Sequence, residues 1–134
     1  QLSLQTNGSV RMSFDTSGAV RVNGQAYSQV ATSSSATPLT WDANSSNTMR
    51  WSINTSTITA NIHNMKPGAA YQLIVSGTGT GTTTINCYSD AGVTALTQGY
   101  MPANGNRVTG TRNKTVYTLM SDGESCLVTW ITGF

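Results

Sequence analysis

Charged side chains are scarce in this chain, at 9% of its 134 residues, and the formal net charge is only +2. So few positive charges cannot form a surface that binds a phosphate backbone, so we expect no nucleic-acid partner. Neutral polar groups must therefore keep the surface hydrated, and Ser, Thr, Asn and Gly fill close to half of the positions. Because Thr suits the exposed face of a pleated strand, this composition favours sheets with one apolar and one polar face.

Long apolar runs are also missing, since none approaches the roughly 20 residues that cross a bilayer as a helix. The chain does not open with a charged and then apolar leader. We therefore expect no integral membrane segment. Because the chain starts at Gln1 rather than Met, we expect it to be cut from a longer protein.

Cysteine is rare: the chain has two, Cys87 and Cys126, in separate predicted strands. We favour the reduced state, because a free cysteine commonly behaves as a small buried hydrophobe. One disulfide is the alternative, and it would suit a secreted protein.

Side chains that carry out catalysis are few. The only close pair of acids, Asp122 and Glu124, lies at a predicted hairpin turn, and the only histidine is His63. A glycosidase needs two supported carboxylates, and a Ser-His-Asp site needs a nucleophile motif that the chain lacks. Residues 77–81 alternate Gly and Thr without the Lys or the helix of a phosphate cradle, so they predict a hairpin loop. We therefore predict that the protein is not an enzyme and needs no cofactor.

The chain is rich in β-strand periodicity. Apolar residues alternate at Met49, Trp51 and Ile53, and the same spacing recurs at residues 58–62, 71–75 and 83–87. Turn residues separate these runs, and no window of eleven or more residues has helical spacing. Three aromatic residues within alternating strands are predicted to be core residues: Trp51, Tyr71 and Trp130.

The last twenty residues place Asp122-Gly123 between two β-rich runs, so we predict a closing hairpin whose end lies in the core or in a subunit contact. Around eight short strands predict an all-β fold, an antiparallel jelly-roll sandwich over residues 38–134. Residues 1–37 differ, because Gly8 and Gly18 are each followed by alternating apolar residues. These residues are either plain N-terminal strands or a shaft-like connector in which three chains share one apolar axis.

Two segments resemble a known group of proteins. In residues 64–77, NMKPGAAYQLIVSG, a Pro-Gly turn precedes a Tyr-x-Leu strand, and residues 122–134, DGESCLVTWITGF, form a closing strand that begins with Asp-Gly. Over roughly residues 40–134 the chain resembles the C-terminal domains of bacteriophage tail fibres and tail needles. Within that group it most resembles the knob at the tip of the tail needle of short-tailed phages. The resemblance implies a homotrimer with a tumour-necrosis-factor-like jelly roll, joined to the needle shaft through residues 1–37.

We therefore expect a non-enzymatic distal knob of a phage tail needle or fibre. It would be carried on the virion, exposed extracellularly, and would contact the host cell envelope during attachment or genome delivery. The first alternative is a carbohydrate-binding or carbohydrate-cleaving module of a tailspike or secreted enzyme. The second is a bacterial adhesin domain, which a disulfide between the two cysteines would support.

Candidate binding residues lie in turn-rich segments. Trp41 and Tyr100 are the aromatic candidates for stacking on a host surface glycan, and Arg107 and Arg112 could bind its hydroxyls or acidic groups. The alternative is that these groups only hydrate the loops or line a subunit interface. We predict no metal site, apart from the remote case in which His63 lies on a trimer axis and three imidazoles meet.

Overall fold

The computed structural model describes residues 2–14, 16–17, 19–22, 30–34, 37–55, 57–77, 81–101, 106–107 and 114–132. These residues form strands and turns without a helix. Among them, therefore, no helix is long and apolar enough to cross a membrane. The strands are β1 (Leu2–Thr6), β2 (Ser9–Phe14), β3 (Val20–Val22), β4 (Val30–Ser33), β5 (Leu39–Asp42), β6 (Thr48–Ser52), β7 (Ile58–His63), β8 (Ala70–Ser76), β9 (Gly81–Cys87), β10 (Thr97–Met101), β11 (Asn106–Arg107), β12 (Lys114–Ser121) and β13 (Ser125–Thr132).

Three sheets contain these strands. A six-stranded sheet has the order β10-β13-β12-β8-β6-β4, and a four-stranded sheet has the order β11-β9-β7-β5. The inward residues of these two sheets form the buried core, as in a sandwich. The all-β class predicted from the sequence is confirmed.

Strand direction corrects the prediction of an antiparallel jelly roll. From β4 to β9 the chain alternates between the two large sheets, so that β4, β6 and β8 are parallel in one sheet and β5, β7 and β9 are parallel in the other. A jelly roll is built from antiparallel strands, whereas these six strands wind in one direction with successive strands in alternate sheets. We call this wound part of the fold the coil. The antiparallel pairs of the sandwich involve β11 and the closing strands β12 and β13.

Periodicity could not reveal this direction, because alternation with a period of two is the same in parallel and antiparallel strands. A parallel pair needs a crossover of a dozen or more residues. Here the crossover from β6 to β8 contains β7, a strand of the other sheet, instead of a helix. A sequence pattern of short strands with regular turns is therefore compatible with both the antiparallel jelly roll and the parallel arrangement.

The predicted closing hairpin is confirmed. Gly123 has a φ of 101°, and Oδ1 of Asp122 accepts hydrogen bonds from the backbone amides of Glu124 at 2.9 Å and Ser125 at 2.6 Å. These bonds fix the turn between β12 and β13, and β12 then pairs antiparallel with β8. The hairpin thus closes onto the coil.

The first three strands form an antiparallel sheet of their own. Asn7 and Gly8 both have positive φ, at 51° and 75°, which is the backbone of a tight turn between β1 and β2. Strands β1 and β2 are thus joined by a hairpin, and both interpretations of residues 1–37, plain strands or a shaft-like connector, stay predictions. Strand β4 pairs with β6 of the six-stranded sheet, and the domain boundary after residue 37 stays a prediction.

Large aromatic side chains fill the core. Trp41, Trp51 and Tyr117 are fully buried, and the hydroxyl of Tyr117 hydrogen-bonds Oγ1 of the buried Thr83 at 2.7 Å, which links β12 to β9 across the sandwich. The core predictions for Trp51 and Tyr71 are confirmed. Trp130 is only half-buried and packs against the core with its ring tilted towards Tyr117, at a centroid distance of 6.5 Å.

The favoured reduced state of the cysteines is wrong, because Cys87 and Cys126 form a disulfide. Cys87 ends β9 in the four-stranded sheet, and Cys126 lies on β13 in the six-stranded sheet. Both side chains point inward and are fully buried, so the bond links the two sheets through the core. The sequence does not indicate this bond, because the two cysteines are 39 residues apart and only the pairing of their strands within the sandwich brings them together.

Candidate functional site

Trp41 is not the exposed aromatic residue that the sequence suggested. It lies on β5 with 0% of its surface exposed, and its indole nitrogen donates a hydrogen bond to the carbonyl oxygen of Ser46 at 3.2 Å. The ring of Tyr71 meets it edge-on, with centroids 6.1 Å apart. The segment around Trp41 is a strand rather than a loop, so this ring fills the core and cannot stack on a ligand.

The other three predicted binding residues stay predictions. Tyr100 lies on β10 opposite Val128, and Arg107 lies on β11 opposite Gly81, but their side chains are outside the described part of the structure. Arg112 is outside the described residues altogether.

The outer surface of the six-stranded sheet carries exposed apolar side chains. Met120, Leu127 and Ile131 are 56%, 54% and 64% exposed. Met120 is the cross-strand neighbour of Leu127, and Val116 is that of Ile131. We call this surface, formed by the outward residues of β12 and β13 with Gly99 of β10 beside them, the apolar face.

A depression of about 260 Å³ lies in the apolar face. It exists because Gly99 stands opposite Leu127 and has no side chain to fill the space. A Cβ at Gly99 would approach Cδ2 of Leu127 to 3.1 Å, which is closer than most such contacts. The depression is lined by Gly99, Met120, Leu127, Val128 and Thr129.

The outer surface of the four-stranded sheet has a different chemistry. One row across it consists of Thr40, Asn61 and Asn86, and Nδ2 of Asn86 donates a hydrogen bond to Oδ1 of Asn61 at 2.9 Å. The next row pairs Asp42 with His63, and Tyr88, which directly follows the end of β9, places its ring against His63. We call this surface, with its hydroxyl, amide and ring groups, the polar face.

Asp42 is held in a fixed orientation at the end of the polar face. Its Oδ1 accepts hydrogen bonds from Nδ2 of Asn64 at 2.9 Å and from the backbone amide of Asn44 at 3.0 Å. These two bonds lower the pKa of Asp42, and the nearby basic side chains His63 and Lys66 add to the effect. The carboxylate of this exposed residue is therefore ionised near neutral pH.

His63 lies between an aromatic ring and a glycine. Its ring meets that of Tyr88 edge-on, with centroids 5.1 Å apart and planes at 89°. On another side it lies against Gly92, where a Cβ would come within 2.8 Å of Nε2. Gly92 belongs to a loop that Asp90 holds together, and hydrogen bonds from Thr94 and then from the amide of Val93 lower the pKa of Asp90 to about 2.

The candidate catalytic groups do not form a catalytic arrangement within the described part of the chain. Asp122 is occupied as the turn acceptor of the closing hairpin, and hydrogen bonds from the amides of Ser125 and Glu124 lower its pKa. No three His, Cys, Asp or Glu side chains of the described residues are grouped so that they could hold a metal ion. The remote possibility of a metal at His63 on a trimer axis stays a prediction.

No protein-family model, curated protein or solved structure matches this chain. Its function is therefore inferred from the chemistry of its two outer faces.

Sequence reasoning missed the apolar face, although a signal was present. Strands that are covered on both sides read as continuous apolar runs rather than as alternation. Val116, Tyr117, Leu119 and Met120 occupy both faces of β12, and β13 shows the same with Leu127, Val128, Trp130 and Ile131. These two runs predict that the outer surface of the hairpin also meets a partner.

Proposed function

We propose that this chain is the non-enzymatic distal knob of a phage tail needle or fibre, assembled as a homotrimer and contacting the host envelope from the virion. The observation that supports this best is the apolar face. An exposed apolar patch of this kind marks an interaction surface on a soluble domain. The resemblance of residues 64–77 and 122–134 to phage tail proteins supports the biological setting.

A second copy of the chain is the occupant that the apolar face fits. Among its described residues the only charged one is Lys114, at the start of β12, so it offers no charge pattern that a foreign acidic or basic partner would match. The outer surface of the six-stranded sheet, of which the apolar face is part, spans roughly 600 Å², from strands about 4.8 Å apart with up to eight residues at about 3.3 Å each. This is close to the ~800 Å² that each partner contributes to a standard interface.

A threefold arrangement also uses the two faces consistently. The apolar faces turn towards a shared axis and lose their contact with water, while the polar faces point outward to solvent or to a receptor. Each of Met120, Leu127 and Ile131 would contribute about 1 kcal/mol per chain, because roughly half of each side chain remains to be buried. Repeated identical surfaces would then raise avidity for a multivalent envelope.

Light scattering tests the assembly. We expect a molar mass about three times the 14.1 kDa of the chain at micromolar concentration. Leu127→Asp, in the middle of the apolar face, should give monomers. Val93→Asp is the matched control, because Val93 is 86% exposed in a loop outside this face, and it should leave the mass unchanged. A wild-type monomer would contradict the assembly.

Two observations favour the alternatives. The polar face suits a carbohydrate-binding module, since it presents hydroxyl and amide groups beside an aromatic ring. The disulfide is what a bacterial adhesin domain predicts, although it also suits a virion tip exposed outside the cell.

Adsorption assays separate these roles: as a knob, the purified domain should compete with phage particles for host cells. A domain that binds the cells without blocking phage adsorption would favour the alternatives.

A further inference from the structure

We propose that the end of the polar face formed by Asp42, His63, Asn64 and Tyr88 binds a neutral saccharide. The proposal rests on the proposed role of the domain in contacting a host envelope, and it names the class of ligand and its site. The site differs from the one predicted around Tyr100, Arg107 and Arg112, and it calls for an uncharged glycan rather than an anionic one.

The first argument is the supply of unused hydrogen-bonding groups. Among the described residues, none bonds to Oδ2 of Asp42, to the hydroxyl of Tyr88 or to a ring nitrogen of His63. Sugar hydroxyls both donate and accept, so a carboxylate acceptor on one side of His63 and a phenol that does both on the other side match them. Neighbouring strands lie about 4.8 Å apart, so the row offers these groups at regular spacing on one surface.

The second argument is that the site is preorganised. Asn64, which has a positive φ of 61°, donates a hydrogen bond from its backbone amide to the carbonyl oxygen of Asp90 at 2.8 Å. Its side-chain amide donates a second hydrogen bond to Asp42. The loop of Gly92 holds the His63 ring from one side, and Tyr88 holds it from the other. Little side-chain entropy would be lost on binding, and this loss is a major cost of association.

The third argument concerns charge. Asp42 and Asp90 both accept hydrogen bonds that lower their pKa, and these two carboxylates offset the basic neighbours, His63 and Lys66. The local charge therefore does not favour an acidic sugar. A neutral glycan meets no such penalty, and an aromatic ring at the site can contact its apolar C–H face.

Saturation-transfer NMR tests the proposal with maltotetraose, cellotetraose, chitotetraose and mannotetraose as neutral probes and tetragalacturonic acid as the anionic probe. We expect at least one neutral probe to bind with a dissociation constant on the order of millimolar. Tyr88→Phe keeps the ring and removes one hydroxyl, so it should weaken binding about fivefold. Asp42→Asn keeps the shape and removes the charge, so it should weaken binding about tenfold or more.

Glu124→Gln is the matched control, since it makes the same change from carboxylate to amide in the closing hairpin, and it should bind like the wild type. Binding of no neutral probe, preference for the anionic probe, or unchanged binding in both site variants would each overturn the proposal. If one variant does not fold, the other decides. The molar mass of the same samples keeps the two ideas separate: trimers that bind no saccharide would overturn this site and leave the proposed knob intact.

Discussion

Removing the disulfide should cost this domain a large part of its stability. Cys87 and Cys126 are separated by 39 residues, and closing a loop of that length restricts the unfolded chain by about 4 kcal/mol in the chain-entropy model. For a domain of this size, such a loss lowers the melting temperature by on the order of 10–15 °C. The loss should be large because the bond joins β9 to β13 and thus connects the two sheets of the sandwich.

The assay is thermal unfolding followed by circular dichroism, at one protein concentration, for oxidised and fully reduced wild type. Reduction keeps both sulfur atoms in the core, so the difference isolates the cross-link. The double variant Cys87→Ala/Cys126→Ala should lose slightly more, because it also leaves a small cavity. Equal melting temperatures of the oxidised and reduced protein, with reduction confirmed by mass spectrometry, would refute the reasoning.

Three further predictions concern single side chains. Hydrogen bonds lower the pKa of Asp90 from 3.8 to about 2, so its contribution to stability is complete above pH 4 and is lost as the pH falls towards 2. Asp90→Asn should therefore flatten the acid side of a plot of melting temperature against pH, and an unchanged plot would contradict this. Trp41→Ala should cost about 3–5 kcal/mol, whereas the half-buried Trp130→Ala should cost clearly less, and equal losses in urea titrations would contradict their difference in burial. Gly77→Ala should prevent folding or destabilise the domain severely, because a Cβ there would overlap the carbonyl oxygen of Ile53. Gly68→Ala, which has open space around it, should fold. A soluble Gly77→Ala variant with a normal melting temperature would refute this.

The sequence was a good guide wherever local chemistry decides the structure. Alternation at Met49 and Trp51 located β6, and Asp122-Gly123 located the closing turn. It failed where the answer depends on distant partners. Trp41 stands among turn residues, yet β7 pairs with its strand and the sandwich closes over it. Likewise the disulfide and the parallel pairs depend on the coil that links the two sheets, which no local spacing encodes.

The candidate site shows the same limit. The sequence shows that His63 is the single histidine, but its row with Asp42 exists only because β5 and β7 are parallel and in register, and Tyr88 reaches it because β9 pairs with β7 up to Cys87. An antiparallel arrangement would have placed other residues beside it. The apolar face could have been predicted, since β12 and β13 are apolar on both sides, whereas alternation of apolar and polar residues indicates a single buried face.

Oxidation of Met120 tests the central claim, that the apolar face is covered by other copies of the chain, most directly. In the single chain Met120 is 56% exposed and Met65 is 1% exposed, so the two side chains supply an exposed probe and a buried reference. Peptide mass spectrometry after mild peroxide treatment gives their oxidation rates at micromolar concentration. The homotrimer predicts that Met120 reacts nearly as slowly as Met65 and becomes reactive in Leu127→Asp. Rapid oxidation of Met120 in the wild type would contradict it.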